Sequence, residues 1–115
     1  MSKDDLDYVG HMLDTARWVI AKVRGKTRKE FDADENLRLA LAHLLQIIGE
    51  AARRVSLEFR AAHPSIPWKA VVGMRHKVVH DYLNVDEDVV WKTATRELEP
   101  LVIELERIVP PSTED

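Results

Sequence analysis

Apolar residues recur at intervals of three and four along most of this 115-residue chain, a spacing that suits α-helices. In the first segment they are Leu6, Val9, Leu13, Ala16, Ile20 and Val23. Because an α-helix has about 3.6 residues per turn, this spacing places all of them on one face. It predicts an amphipathic helix from about Asp4 to Arg24, and Gly25 is suited to the left-handed residue that ends it.

A second helix is predicted from near Asp34 to about Phe59, after a charged connection over residues 26–33. Its main stripe comprises Leu37, Leu41, Leu44, Ile48, Ala51, Ala52, Val55 and Phe59, and Ala40, Leu45 and Ile47 widen it. A helix with so broad an apolar band lies at the centre of a bundle or contacts a second chain, and we expect both. Glu50 lies three residues before Arg53 and four before Arg54, which predicts an ion pair.

Prolines at positions 64 and 67 interrupt the helical pattern and predict a third helix over about residues 67–82. Asp86 is suited to cap a last helix that runs to about Val109 and is kinked or split at Pro100. No segment shows the alternation of a strand. The sequence therefore predicts an all-α, roughly antiparallel bundle of four to five helices. It forms a single domain over residues 1–115, with residues 110–115 as a frayed tail.

Composition excludes several classes of site. The chain has no cysteine, which excludes a disulfide scaffold, a thiol nucleophile and a cysteine-ligated metal. No apolar run approaches the roughly 18 residues that a membrane span requires, and the polar N-terminus does not resemble a signal or transit peptide. We therefore expect a cytoplasmic protein with no membrane partner.

Charge is distributed unevenly along the chain, although the formal net charge is only −3. Residues 51–80 carry a net charge of +5, and residues 81–115 carry −7. The negative total argues against a general nucleic-acid binder, and DNA is not an expected partner. An anionic ligand is expected near the basic segment, although ordinary solvated surface also explains the charge.

The basic segment ends in a cluster of groups suited to phosphate chemistry, namely Arg75, His76, His80 and Tyr82. Metal-free cleavage of RNA needs a proton-transfer group that titrates near neutrality, and histidine has an unperturbed pKa of ~6.5. It also needs a fixed cation on the transition state, for which the planar guanidinium of arginine is suited. Tyrosine can hydrogen-bond a phosphate or stack on a base.

Helical geometry limits how these groups can meet. On a continuous helix, Arg75 shares a face with Tyr82, and His76 shares one with His80. Arg75 and His80 lie about 140° apart, so they meet one ligand only if the helix end tightens or a second chain completes the site. Two other interpretations remain: surface or capping residues of a small bundle, or a zinc or nickel site at His76 and His80.

The string Arg75-x4-His80-x-Tyr82 resembles the Arg-x4-His-x-Tyr signature of HepT-like toxins in the HEPN superfamily. The resemblance continues, in order and at the family's spacing, through IIGEAA (residues 47–52), HPSIPW (63–68), GMR (73–75) and the VD and VW pairs near residues 85–91. It is dense over residues 47–91 and compatible with nearly the whole chain.

The resemblance implies a helical homodimer that is a metal-independent endoribonuclease toxin of a toxin–antitoxin module and needs no cofactor. It implies that Arg75 and His80 are catalytic and line a composite cleft between two copies. It also implies a minimal nucleotidyltransferase antitoxin as partner, which uses ATP to adenylylate Tyr82. The added nucleotide blocks the RNA site by its bulk and negative charge.

His76 stands where the superfamily often has asparagine. It is a candidate supporting residue that adds proton-transfer capacity or alters how phosphate is positioned. The alternative function is a non-catalytic helical partner of the nucleotidyltransferase that presents a modifiable tyrosine.

Overall fold

The computed structural model describes residues 3–81 and 84–110, and most of them are helical. The helices are α1 (Lys3–Val23), α2 (Arg28–Ala33), α3 (Glu35–Arg54), α4 (Leu57–Ala62), α5 (Trp68–Val72), α6 (Met74–Val78), α7 (Glu87–Lys92) and α8 (Leu98–Ile108). The all-α class is confirmed, with one local difference: β1 (Val79–Asp81) and β2 (Asn84–Val85) form a short antiparallel pair where we expected no strand. None of the helices in the described ranges is long and apolar enough to cross a membrane.

The core is built around α1 and α3. The predicted stripe of α1 is buried at Val9, Leu13 and Ala16, and Met12 and Val19 beside it are fully buried as well. α3 packs against α1, α2, α5, α6 and α7, which gives it the central position that its broad apolar band predicts. Because α3 contacts both α5 and α6, it fixes the place of the basic segment in the fold.

The predicted second helix is interrupted near its end, where a buried carboxylate meets the chain. Asp5 of α1 is only 6% exposed, and its two oxygens accept hydrogen bonds from the backbone N–H and the hydroxyl of Ser56, each at 2.8 Å. The Ser56 hydroxyl oxygen accepts a further bond from the N–H of Phe59 at 3.1 Å and so caps α4. The prediction of one helix to about Phe59 is therefore wrong, because Ser56 starts a new one.

The charged connection predicted over residues 26–33 contains a short helix, since residues 28–33 form α2. The Thr27 hydroxyl accepts a hydrogen bond from the N–H of Glu30 at 3.1 Å, and the Glu30 carboxylate accepts one from the N–H of Thr27 at 2.8 Å. This reciprocal capping box stabilises a helix of only six residues and holds the pKa of Glu30 below its usual range. α2 buries Phe31 against the ring of Trp91, with ring centroids 5.1 Å apart.

The predicted third helix starts as expected but ends early. Gly73 separates α5 from α6, and α6 ends at Val78. The Val78 carbonyl oxygen accepts a hydrogen bond from the N–H of Asp86 at 2.8 Å, which turns the chain into the β1–β2 pair. The prediction that helix continues to Tyr82 is therefore wrong, and Tyr82 itself lies outside the described residues.

The last helical region follows its prediction closely. The Asp86 side chain accepts a hydrogen bond from the N–H of Val89 at 3.1 Å and caps α7. A π-helical segment, Thr93–Glu97, lies between α7 and α8 and splits the region just before Pro100. Proline has no N–H to donate to the preceding turn, so a break in the α-helical hydrogen bonding at this point is expected. The predicted tail lies outside the described residues from position 111 onward.

Candidate active site

A groove of about 590 Å³ lies where the C-terminal half of α3 passes α5 and α6. Its charged and titratable lining side chains are Glu50, Arg53, Arg60, Lys69, Arg75 and His76. We call it the basic groove, because four of these groups are permanent cations and Glu50 supplies the one carboxylate among the described lining residues. The net positive charge alone therefore attracts an anion to this surface.

Arg75 and His76 lie on α6 at the edge of the basic groove, and both are solvent-exposed. Lys69 of α5 is exposed on the same groove. Within residues 3–81 and 84–110, no described carboxylate forms an ion pair with any of these three side chains. Their donors are consequently available to an anionic ligand.

Gly49 sets the close approach of α3 to the start of α6. A Cβ atom at this position would lie 3.2 Å from the carbonyl oxygen of Val71 and 3.5 Å from the backbone nitrogen of Arg75. Both neighbours are backbone atoms and cannot rotate away as a side chain could. Gly49 therefore determines how near the backbone of Arg75 sits to α3.

Substituting Gly49 by alanine is expected to destabilise the fold by about 1–3 kcal/mol, because α5 and α6 must shift to admit the methyl group. Gly10→Ala is the matched control, since Gly10 also lies within a helix but has nothing within 4 Å of an added Cβ. That control is expected to stabilise the protein by about 0.5–1 kcal/mol through helix propensity. Urea unfolding measures both, and equal stabilisation by the two substitutions would contradict the close packing at Gly49.

The Glu50 carboxylate holds two arginines at the end of α3. Arg53 Nη2 lies 2.7 Å from Glu50 Oε1, and Arg53 Nε lies 3.2 Å from Oε2. Arg54 Nε approaches Oε1 at 3.5 Å. The hydrogen bonds from Arg53, reinforced by the charge of Arg54, hold the pKa of the Glu50 carboxyl below its usual range. The ion pair predicted from the spacing of these residues is confirmed, and Glu50 offsets part of the groove's positive charge.

Arg60 lines the basic groove, but its guanidinium is used in hydrogen bonds that stabilise the fold. Its guanidinium donates hydrogen bonds to three carbonyl oxygens at the end of α3, those of Ala52 at 3.2 Å, Arg53 at 2.9 Å and Val55 at 3.1 Å. The last carbonyls of a helix lack the N–H groups of a following turn, and here the Ala52 oxygen also accepts a hydrogen bond from the N–H of Val55 at 3.2 Å. Arg60 therefore caps α3, and the cations free to meet a ligand are Lys69 and Arg75.

His80 lies at an irregularity in the β1–β2 pair. Val79 pairs with Val85 and Asp81 pairs with Asn84, so β1 has one more residue than β2 between the two pairs. That extra residue is His80, at a β-bulge, a feature common beside active sites because it redirects a side chain. The structure describes the backbone of His80, whereas its side chain lies outside what is described.

The helical relations predicted for the cluster do not hold, because α6 ends at Val78. Arg75 and His76 are on a helix, whereas His80 is on a strand. The 140° separation of Arg75 from His80 therefore does not apply. The zinc or nickel hypothesis loses its premise, since His76 and His80 are not one turn apart on a single helix.

The family signature selected Arg75, and His76 directly after it was a candidate supporting residue; the structure places both on the groove. The signature gave no reason to place Glu50, Arg53 and Lys69 beside them. The spacing of Glu50 and Arg53 did reveal their ion pair. The position of this ion pair near Arg75 depends on how α3 packs against α5 and α6, which no local sequence pattern encodes.

Comparison with known proteins gives a consistent family assignment. The family model described as Ribonuclease HepT-like matches residues 12–108. The chain is 34% identical over 102 residues to the protein named "Putative RNase TTE0752" of Caldanaerobacter subterraneus subsp. tengcongensis, covering 89% of this chain and 91% of that one. It is 30% identical over 108 residues to "Probable ribonuclease HepT" of Thermococcus cleftensis, covering 94% and 98% of the two chains.

A third relative is "Putative RNase MJ1380" of Methanocaldococcus jannaschii, with 33% identity over 107 residues and coverage of 92% of this chain and 98% of the relative. No solved structure gives a significant match to the chain. The matched segment contains every charged side chain of the basic groove.

Proposed function

From its membership of the HepT-like ribonuclease family, which makes it an endoribonuclease, we propose a more specific function for this chain. It acts as a metal-independent RNA-cleaving toxin whose cleft is shared by two copies. The observation that carries this proposal is Arg75, the arginine of the family signature, exposed on a basic groove with no described carboxylate paired to it. A guanidinium in that state is suited to bind and stabilise the charge of a phosphodiester.

In the proposed reaction, the 2′-oxygen of a ribose attacks the adjacent phosphorus while the bond from phosphorus to the 5′-oxygen breaks. One proton leaves the 2′-hydroxyl and one is delivered to the leaving 5′-oxygen, and we assign one of these transfers to His80. Arg75 stabilises the negative charge that develops on the non-bridging oxygens. The products are a 2′,3′-cyclic phosphate and a 5′-hydroxyl.

The second proton transfer needs a second group. A homodimer provides another copy of His80 around its axis, and His76 beside Arg75 is the candidate within one protomer. Apolar side chains on the central helix support pairing of two copies, since Leu39 is 58% exposed and Ile47 is 37% exposed. Both lie on α3, and Ile47 precedes Glu50 of the basic groove by three residues.

The test is cleavage of a single-stranded RNA by the purified protein, with and without EDTA. We expect discrete fragments that end in a 2′,3′-cyclic phosphate, formed at the same rate in both conditions. Intact RNA in both conditions would contradict ribonuclease activity. Cleavage that stops in EDTA would contradict metal independence.

We further propose that a minimal nucleotidyltransferase partner neutralises the toxin by modifying Tyr82. The Tyr82 hydroxyl loses its proton and its oxygen bonds to the α-phosphorus of ATP, while the bond from that phosphorus to the oxygen bridging to the β-phosphate breaks and pyrophosphate leaves. The attached AMP brings bulk and negative charge within seven residues of Arg75, where an RNA phosphate must bind.

The chain has only two tyrosines, so this modification has a matched control. With the nucleotidyltransferase and ATP, the wild type and Tyr8→Phe are expected to gain the mass of AMP, whereas Tyr82→Phe is not. Intact-mass spectrometry makes the comparison. An equal mass gain in Tyr82→Phe would exclude Tyr82 as the modified residue.

A further inference from the structure

The carboxylate of Glu50 occupies a position that suits a phosphate. It accepts two hydrogen bonds from the Arg53 guanidinium, at 2.7 and 3.2 Å, on its two separate oxygens. This two-point arrangement is the one by which guanidinium groups also bind phosphate. We propose that the basic groove binds the backbone of single-stranded RNA beside the cleavage site, and that Glu50 holds Arg53 until an RNA phosphate displaces it. The inference rests on the proposed function, since RNA is the ligand.

Solvent exposure makes this exchange feasible. The side chains of Glu50 and Arg53 are 37% and 61% exposed, and that of Arg54 is 54% exposed. Exposed ion pairs contribute little net stability, because water competes for both partners. A phosphate can therefore replace the carboxylate at small cost, which would not hold for a buried pair.

The surroundings of Arg53 also favour an anion. The C-terminal end of a helix carries a partial negative charge that repels phosphate. At the end of α3, Arg60 donates to three of the carbonyls responsible and so reduces that repulsion. Lys69 and Arg75 line the same groove with no described carboxylate partner, so more than one cation of this surface is available to the phosphates of a strand.

Single-stranded RNA fits this chemistry better than a base-specific ligand. A cationic groove that follows the backbone is a common means of binding single strands without sequence preference. The cations of the basic groove recognise charge, which every nucleotide carries. We therefore expect weak base preference at the nucleotides bound here.

The experiment measures the affinity of an oligonucleotide with 2′-O-methyl groups throughout, which lacks the attacking 2′-hydroxyl and stays intact. Glu50→Gln is expected to bind it roughly 3- to 10-fold more tightly than the wild type, since Arg53 is released. The slope of log affinity against log salt should become steeper by about 0.7, the value for one more phosphate contact on a single strand. Arg53→Gln is expected to weaken binding and reduce the slope by a similar amount.

Two controls separate this exchange from a change in net charge. Glu104 and Arg107 of α8 form an ion pair with the same three-residue spacing, at 3.0 Å, and neither lines the basic groove. Glu104→Gln should leave affinity within about twofold of the wild type. The double variant Glu50→Gln with Arg53→Gln should lose most of the gain that Glu50→Gln produces alone.

Equal effects of Glu50→Gln and Glu104→Gln would overturn the proposal, because net charge would then explain both. Weaker binding by Glu50→Gln would overturn it as well.

Cleavage of unmodified RNA by the same wild-type preparation separates this groove inference from the proposed ribonuclease function. If the wild type cleaves RNA while the groove variants bind like the wild type, the groove inference fails and the ribonuclease function stands. If the wild type neither cleaves nor binds, both fail.

Discussion

Replacing His80 by alanine is expected to lower the rate of RNA cleavage by about 10²- to 10⁴-fold, the usual contribution of a group that transfers a proton in the transition state. Alanine removes the imidazole at the β-bulge while the backbone pairing of β1 with β2 is free to remain. The measurement is single-turnover cleavage of single-stranded RNA, accompanied by growth and total RNA in cells that express each chain alone.

His43→Ala is the matched control for this substitution, because His43 is an exposed histidine on α3 outside the basic groove. It should cleave RNA at the wild-type rate. An active His80→Ala variant would contradict the assignment of His80. If neither the wild type nor His80→Ala cleaves RNA while both still bind the nucleotidyltransferase, the chain is a scaffold that presents a modifiable tyrosine.

Replacing Arg75 by alanine is expected to lower the rate constant for cleavage by about 10²- to 10³-fold, as for other groups that stabilise transition-state charge. Arg75 is exposed and has no described carboxylate partner, so its loss leaves no buried charge behind and the fold should be retained. Arg75→Lys should recover only part of the rate, because a lysine ammonium lacks the planar pair of donors. Cleavage at saturating RNA separates this effect on rate from weaker binding.

Lys77→Ala controls for the loss of one positive charge on the same helix. Lys77 is exposed on α6, two residues from Arg75, and does not line the basic groove. Its substitution should change the rate constant by less than about threefold. A comparable fall in Lys77→Ala and Arg75→Ala would mean that general electrostatic attraction accounts for the effect of Arg75.

Most of the long helices were predictable, because their signals are local. The stripe of α1, the cap at Asp86 and the split near Pro100 each depend on residues within a few turns of one another. The predictions of helix bounds are wrong where a local capping interaction starts a helix that the spacing of apolar residues does not reveal. The capping box of α2 and the Ser56 cap of α4 each start a helix of only six residues, too short for a stripe to reveal.

The candidate site was predictable only in part. Arg75 and His76 lie on the groove, as their place in the basic segment implied. The end of α6 at Val78 was not predicted, because the apolar stripe of a helix also accommodates the valines that lead into β1. The role of His80 remains a prediction, and Tyr82 is outside the described residues.

The sequence by itself determined the helical class and the family signature, because hydrophobic periodicity, caps and motif spacing are properties of neighbouring residues. Only the tertiary structure decided which charges are free. Arg60 lies in the basic segment yet caps α3, whereas Lys69 and Arg75 remain available on the groove. Which cation finds a partner depends on how closely two helices approach. At Gly49 that distance is set by backbone atoms of α5 and α6, more than 20 residues away in the chain.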